Sequence, residues 1–287
     1  HYEERYGKKF IPEDMTIQDF GVSYEELEPF FDYAEKVFGT SGQAWTVNGQ
    51  LVGQGKGGNP YAPDRSHHFP LESQKNTVSA QLFQKAANEV GYKPYNLPSA
   101  NTSGPYTNPY GAQMGPCNFC GFCSGYVCYM YYKASPNVNI LPALKPLPNF
   151  ELRPNAHVIR VNLDSTKTKA TGVTYIDASG REIEQQADLV ILGAFQFHNV
   201  RLMLLSGIGK PYDPKTGEGV VGRNFAYQNM GTIKAYFDKD VHTNNFIGAG
   251  GNGVAIDDFN ADNFDHGPHG FVGGSPMWVN QAGSRPI

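Results

Sequence analysis

The chain has 287 residues, enough for one large domain or two ordinary ones with a substantial hydrophobic core. Charged residues make up only 17% of it, below the roughly 25% of typical soluble domains, while aromatic residues reach 13%. This composition argues against intrinsic disorder, and a formal net charge of −4 offers no basic footprint for nucleic acid. The apolar stretches are far shorter than the ~20 residues that a membrane-spanning helix needs.

Two helices are predicted in the first third of the chain. A capping box at Ser23–Glu26, apolar residues at helical spacing and a following Gly39 predict the first one. Pro29 predicts a kink or a restart within it. Residues 39–76 are rich in glycine and proline and show little periodicity, so we expect a long loop there. A second helix is predicted over roughly Val78–Val90.

All four cysteines lie in one short loop with the spacing C-x2-C-x2-C-x4-C, namely Cys117, Cys120, Cys123 and Cys128. Disulfides are a poor explanation, because residues three apart in a tight turn rarely offer relaxed bridging geometry. Thiolates at this spacing can wrap around a soft metal centre. Structural zinc usually pairs two knuckles a dozen or more residues apart, so the spacing favours an iron–sulfur cluster. A non-catalytic structural module that zinc or a cluster holds together, and four buried metal-free thiols, remain the alternatives. Four ligands would permit a four-iron cubane, and three would hold a three-iron cluster.

The chain after the cysteines carries the β signals. A short helix interrupted by prolines is predicted over 134–144. His157–Leu163 alternates apolar and polar residues, and Thr171–Ile176 follows as a second strand. Ala187–Ala194 is a nearly continuous apolar run that predicts a strand buried on both faces, followed directly by a helix.

Four glycine-containing segments are candidates for binding a cofactor, and the structural context predicted for each differs. The dinucleotide pattern G-x-G-x-x-G begins at Gly53, at Gly217 and at Gly248. It binds pyrophosphate only where a strand precedes it and a helix follows, and none of the three has both neighbours. The turn at Gly193-Ala194 is a better candidate, because the predicted buried strand would end there and a helix would begin. Plain tight packing of helix on strand explains this turn equally well.

Together these segments resemble the glucose–methanol–choline (GMC) oxidoreductases. The resemblance is carried by Asp19–Asp32, by Asn199–Gly209 with Gly193-Ala194 opening the turn before it, and by Val221–Asn224. The cysteine loop narrows it to the flavoprotein subunits of membrane-bound dehydrogenases of the gluconate, sorbitol, fructose and glucose type. The resemblance implies an α/β fold, the central part of an FAD-binding domain with a loop-rich α+β region for substrate and cluster.

The resemblance also implies a domain organisation. Residues 1–133 would be a cap and substrate region with the cysteine loop, 134–228 part of the FAD-binding domain, and 229–287 the start of the substrate-binding domain. The chain would be a piece of a longer protein, without the N-terminal nucleotide-binding motif and the C-terminal catalytic segment. We therefore expect these residues alone to be inactive and not to retain FAD.

The family implies oxidation of a CH–OH group of a sugar, sugar acid or polyol by hydride transfer to FAD. Electrons would pass to a three-iron (3Fe–4S) cluster on the four cysteines and on to a multihaem cytochrome c subunit, with a small subunit in the complex. His157 and Val158 would contact the adenine side of FAD through their backbone, and Gly193 and Ala194 would lie beside its ribityl–pyrophosphate arm. The complex would lie at the periplasmic face of the bacterial inner membrane, held by its partner subunits.

The catalytic base is not identified by the sequence. Three histidines are in question, but none lies in the context of the family's catalytic histidine: His198, His266 and His269. We expect the base to lie outside these residues.

Overall fold

The computed structural model describes Gly7, Lys9, Ile11, Thr16 and residues 19–123, 126–243, 246–265, 267–271 and 273–280. The chain divides into two compact units. One is built around Glu151–Lys234, and the other from Phe20–Phe150 together with the chain from Ala235 onward. The unit that contains the cysteine loop is therefore assembled from two separate stretches of sequence. In the part of the chain that the structure describes, no helix has the length and apolar character needed to cross a bilayer.

Helix α1, Tyr24–Phe38, forms where the capping box predicts it. The Ser23 hydroxyl accepts a hydrogen bond from the Glu26 backbone N–H, and the Glu26 carboxylate accepts the Ser23 backbone N–H at 2.8 Å. Gly39 ends the helix in the left-handed conformation, with φ of 65°. The predicted restart at Pro29 is wrong, because the helix continues through this residue. One proline removes a single N–H donor, and the remaining helical bonds persist.

The expected loop excursion follows. It contains only two very short antiparallel strands, β1 (Thr46–Val47) and β2 (Gln50–Leu51). Helix α2, Val78–Glu89, confirms the second predicted helix, with Val90 as its C-cap. Helices with an apolar face form from local sequence, and both predictions rested on such faces.

Three short strands and two one-turn helices come next. Strand β3 is Tyr95–Asn96, and β4 (Tyr106–Thr107) pairs antiparallel with β5 (Gln113–Met114). Helices α3 (Pro136–Asn139) and α4 (Leu141–Leu144) each carry a proline in their first two positions. These prolines therefore begin two helices and do not interrupt one, since a proline at the first turn loses no helical hydrogen bond.

Buried amides fix these loops where regular structure is sparse. The Asn108 side chain donates to the carbonyl oxygens of Val37 (3.0 Å) and Asn139 (2.9 Å). Asn108 and Asn139 are both buried, and the Asn139 side-chain oxygen accepts the Ser135 N–H at 2.8 Å. Backbone N–H and carbonyl groups that have no partner in a helix or sheet thus form hydrogen bonds with side chains. Buried loops require such bonds, because an unpaired buried backbone group is costly.

The other unit contains an antiparallel sheet in the order β6-β7-β8. Strands β6 (His157–Leu163) and β7 (Ala170–Ile176) confirm the predicted pair, whereas β8 (Glu182–Gln186) was not predicted. Ile183 is the only apolar residue of β8, so this strand has no hydrophobic face to reveal it. Helix α5, Gln196–Ser206, packs beside β6. The Ser206 hydroxyl of α5 accepts the Val161 N–H of β6 at 2.8 Å.

The predicted buried strand over Ala187–Ala194 is wrong. This stretch is irregular, and Leu189 and Ile191 are 75% and 82% exposed. A strand buried on both faces needs paired neighbours and a covering layer on each side. Within the described residues no strand pairs with this stretch. The secondary structure is a mixture of helices and small antiparallel sheets, consistent with the α/β class without being specific to it.

A buried strand in the last part of the chain completes the cysteine-bearing unit. Strand β9, Gly253–Ile256, lies between β10 (Met277–Asn280) and β3 in an antiparallel sheet. Val254, Ala255 and Ile256 are almost completely buried, and α2 packs against β9. No strand was predicted here, since four residues carry too little periodicity. This strand brings the glycine-rich residues before it next to the cysteine loop.

Candidate functional site

The cysteine loop is closed at both ends by backbone hydrogen bonds to one stretch of chain. The Cys117 N–H donates to the Thr102 carbonyl and the Ala134 N–H to the Ala100 carbonyl, both at 2.8 Å. The Thr102 N–H donates to the Tyr132 carbonyl at 3.1 Å. Residues 100–102 therefore hold the start and the end of the loop together, so that the four cysteines are confined to one region of the surface.

The four thiols are free and partly buried. Phe119 and Gly121, with φ of 56° and 79°, turn the backbone sharply on either side of Cys120. Burial raises the pKa of the Cys117 thiol above its ordinary value. A hydrogen bond from the Phe119 N–H opposes this effect, and the charges of the other three cysteines raise that pKa further.

Cys128 has a different environment. Burial by itself would raise its pKa, yet backbone N–H groups of residues 130–133 outweigh this effect and lower the pKa of the thiol. The Tyr132 N–H lies 3.4 Å from the Cys128 sulfur, and Tyr131 is left-handed with φ of 57°. Successive N–H groups that converge on one point form an anion-binding nest. These N–H groups therefore stabilise the thiolate form of Cys128, which is the form that binds metals.

These opposite pKa shifts predict different reactivity. Since the thiolate is the nucleophile, Cys128 will be alkylated by iodoacetamide at a lower pH than Cys117 in the metal-free protein. Short labelling pulses between about pH 6 and pH 10, followed by site-resolved peptide mass spectrometry, measure the two profiles. Labelling of urea-denatured protein is the control and should remove the difference. Identical profiles in the folded protein would contradict the assigned environments.

The donor set fits a soft metal centre. It consists of four thiols without a disulfide, one of them stabilised as the thiolate. Among the residues that the structure describes, no three or more His, Cys, Asp or Glu side chains are arranged around a single metal position. The iron–sulfur cluster inferred from the spacing therefore stays a prediction.

The Gly193-Ala194 turn leads directly into α5, as predicted. The side chain of Asn199, in the first turn of α5, stabilises the Gly193-Ala194 turn with two hydrogen bonds. Its oxygen accepts the Ala194 N–H at 2.9 Å, and its amide donates to the Leu192 carbonyl at 3.1 Å. A Cβ built on Gly193 would meet no heavy atom within 4 Å, so the space beside the turn is open. Asn199 begins one of the stretches that carry the family resemblance, but its support of the turn was not predicted, although an asparagine shortly after a Gly-Ala turn could have indicated it.

His157 and Val158 begin strand β6 at the edge of its sheet. His157 is exposed, and Val158 pairs with Tyr175 of β7. In the described sheet no strand covers the outer side of β6, which leaves room for a contact through the backbone. Val158 lines a cavity of about 320 Å³ together with Arg153 and Tyr175. The Arg153 guanidinium donates to the Tyr175 hydroxyl at 3.0 Å. This cavity is large enough for one ring of a ligand.

A larger cavity, of about 690 Å³, lies in the cysteine-bearing unit. The loop excursion over residues 39–76 forms it, and its polar lining includes Gln43, Lys56, His68 and Glu72. This cavity could not be predicted from the sequence, because the lining residues follow no periodic pattern. Two of the histidines considered for catalysis, His198 and His269, are exposed, and His266 lies outside the described residues.

Comparisons with known proteins show similarity to redox enzymes. The sequence profile of the GMC oxidoreductases matches residues 17–230. The chain is 76% identical to the gluconate 2-dehydrogenase flavoprotein of Pantoea cypripedii over 287 residues, which are 100% of this chain and 47% of that protein. It is 24% identical over 224 residues to the fructose dehydrogenase large subunit of Gluconobacter japonicus, covering 75% and 38% of the two chains. It is 26% identical over 207 residues to the 2-methyl-1,2-propanediol dehydrogenase of Mycolicibacterium austroafricanum, covering 71% and 34%.

The chain spans about half the length of the first of these relatives. The matched range contains the three stretches on which the predicted resemblance rested, as well as the cysteine loop and the Gly193-Ala194 turn. The family prediction is confirmed, and with it the expectation of an FAD-binding α/β fold: the chain belongs to the GMC oxidoreductase family.

Proposed function

We propose that the chain is part of the flavoprotein subunit of an FAD-dependent dehydrogenase that oxidises a CH–OH group of a sugar acid. Sugars and polyols are the related substrate classes. The observation that carries the proposal is the 76% identity, over the whole of this chain, to a protein named gluconate 2-dehydrogenase flavoprotein. The two more distant relatives described above are named dehydrogenases as well, and this supports the reaction class.

The described residues fit FAD at two places in one unit. Near the Gly193-Ala194 turn, the first N–H groups of α5 have no helical acceptor and favour negative charge, which suits the pyrophosphate arm. The Asn199 side chain keeps that turn in shape. His157 and Val158 at the edge of β6 would contact the adenine side through their backbone. When bound, FAD supplies the hydride acceptor for oxidation of the alcohol carbon.

The cysteine loop supports the second part of the proposal, an iron–sulfur cluster of the three-iron type. The chain contributes thiolate ligands, and the N–H nest around Cys128 stabilises one of them before any metal is bound. When bound, such a cluster supplies a one-electron carrier whose potential depends on burial and on hydrogen bonds to sulfur. A multihaem cytochrome c subunit would receive the electrons, and a small subunit would complete the complex. We place the complex at the periplasmic face of the inner membrane. A relative that is named as a large subunit supports an assembly of several subunits.

Cofactor analysis of the anaerobically purified full-length flavoprotein, of which this chain is a part, tests both parts of the proposal separately. We expect about three irons with acid-labile sulfide per chain, an electron paramagnetic resonance (EPR) signal in the oxidised state, and flavin that is bleached by gluconate without oxygen. One zinc per chain without sulfide would contradict the iron–sulfur cluster and would indicate a structural zinc site on the cysteines. If the protein contains iron and sulfide but its flavin is not reduced by sugars, sugar acids or polyols, the dehydrogenase assignment is contradicted. The cluster assignment would then still stand.

A further inference from the structure

The third glycine pattern, which does not fit a phosphate site, lies against the cysteine loop. Gly248 forms a parallel backbone bridge with Cys120. A Cβ built on Gly250 would lie 3.4 Å from the Cβ and 3.9 Å from the sulfur of Cys123. The bare backbone of Gly250 is therefore a direct neighbour of one of the candidate ligands, although the two residues are far apart in sequence.

Buried side chains hold Gly250 in this position. Its carbonyl oxygen accepts hydrogen bonds from the Ser99 hydroxyl, at 2.9 Å, and from the Asn101 amide. Ser99 and Asn101 are only 3% and 2% exposed. The Asn101 backbone carbonyl in turn accepts the Ser41 hydroxyl (2.9 Å) and the Gln74 amide (2.7 Å). A peptide group fixed by two buried donors, one of them anchored in a further network, has little freedom to move away from Cys123.

We infer that Gly250 forms part of the wall of the cluster site, and that Ser99 and Asn101 are positioning residues that hold its backbone against Cys123. This inference rests on the proposed function, because it requires an inorganic cluster on the cysteines. A residue without a side chain leaves room for the inorganic atoms bonded to the thiolate and lets the backbone approach them closely. Groups around the ligands control both the retention and the potential of a metal centre.

Gly250→Ala tests the inference without disrupting the fold. The backbone of Gly250 lies outside the left-handed region, and the added methyl group would meet its neighbours only at ordinary contact distances. The metal-free variant should therefore have the melting temperature of the wild type. In the reconstituted protein we expect iron to be retained about ten-fold more weakly against a chelator, with a changed EPR line shape. Gly250→Val should exaggerate both effects, and Ser99→Ala should change the same signal to a smaller extent.

Gly104→Ala is the matched control. Its backbone is also outside the left-handed region, and its added methyl group would contact only Leu71, at 3.8 Å. We expect wild-type iron retention and an unchanged EPR signal for this variant. A Gly250→Ala protein that keeps its iron and its signal, or a Gly104→Ala protein that loses them equally, would overturn the role of Gly250. If the wild type carries neither iron nor sulfide, the proposed cluster itself is refuted, and this inference falls with it.

Discussion

Serine scanning of the cysteine loop will show three variants that lose nearly all their iron and sulfide and one that keeps both. Serine has almost the shape of cysteine, but its hard oxygen is a poor substitute for thiolate sulfur on iron. The four thiols are free in the structure, so the exchange breaks no disulfide and should leave the fold intact. Iron, sulfide and EPR measurements on each purified variant identify the ligands and the spare cysteine.

Asn118→Ser is the matched control for this scan. It introduces the same side chain between two of the cysteines and removes only an exposed hydrogen bond to the Tyr129 hydroxyl, at 3.3 Å. We expect it to retain its cluster. Loss of the cluster in all four cysteine variants would indicate a four-iron cubane. Wild-type iron and sulfide in every cysteine variant would show that the loop holds no cluster.

Gly121→Ala will destabilise the cysteine-bearing unit far more than the same exchange at Gly111. The two glycines have nearly the same left-handed backbone, with φ of 79° and 82°. A Cβ on Gly111 would meet nothing within 4 Å, whereas a Cβ on Gly121 would overlap the carbonyl oxygen of Phe246. The strain of a left-handed alanine is roughly 1 kcal/mol, which both variants share. Overlap with a backbone atom adds about 1–3 kcal/mol for Gly121 alone.

Urea denaturation of both metal-free variants measures this difference. We expect similar m-values and a clearly lower midpoint for Gly121→Ala, because the stability changes and the surface exposed on unfolding does not. The difference in urea midpoint between the two variants measures how much the close packing of residues 246–250 against the cysteine loop contributes to stability. Equal midpoints would mean that this approach contributes nothing to stability.

Much of the local structure was predictable from the sequence. Helix α1 follows from the capping box at Ser23 and the glycine stop at Gly39, both encoded within a few residues of the helix ends. The strands β6 and β7 follow from alternation of apolar and polar residues in neighbouring segments. The cysteine spacing and the short stretches resembling the GMC oxidoreductases are also local, and the family assignment based on them is confirmed.

The predictions that were wrong, and the elements that were not predicted, concern features that the local sequence pattern does not encode. Ala187–Ala194 has the composition of a buried strand, but a strand forms only where other strands supply hydrogen bonds, and its own residues cannot encode such partners. The buried strand β9 is too short for any period to be visible. The support that Asn199 gives to the Gly193-Ala194 turn depends on side-chain geometry across a helix start.

By itself, the amino-acid order determined the family, the positions of the main helices and of the β6–β7 pair, and the grouping of four thiols in one loop. Only the tertiary structure decided what surrounds those thiols. The bridge between Cys120 and Gly248 joins residues more than a hundred positions apart, and buried Ser99 and Asn101 fix Gly250 beside Cys123. Such contacts arise when distant segments pack together, and packing leaves no periodic trace in either segment.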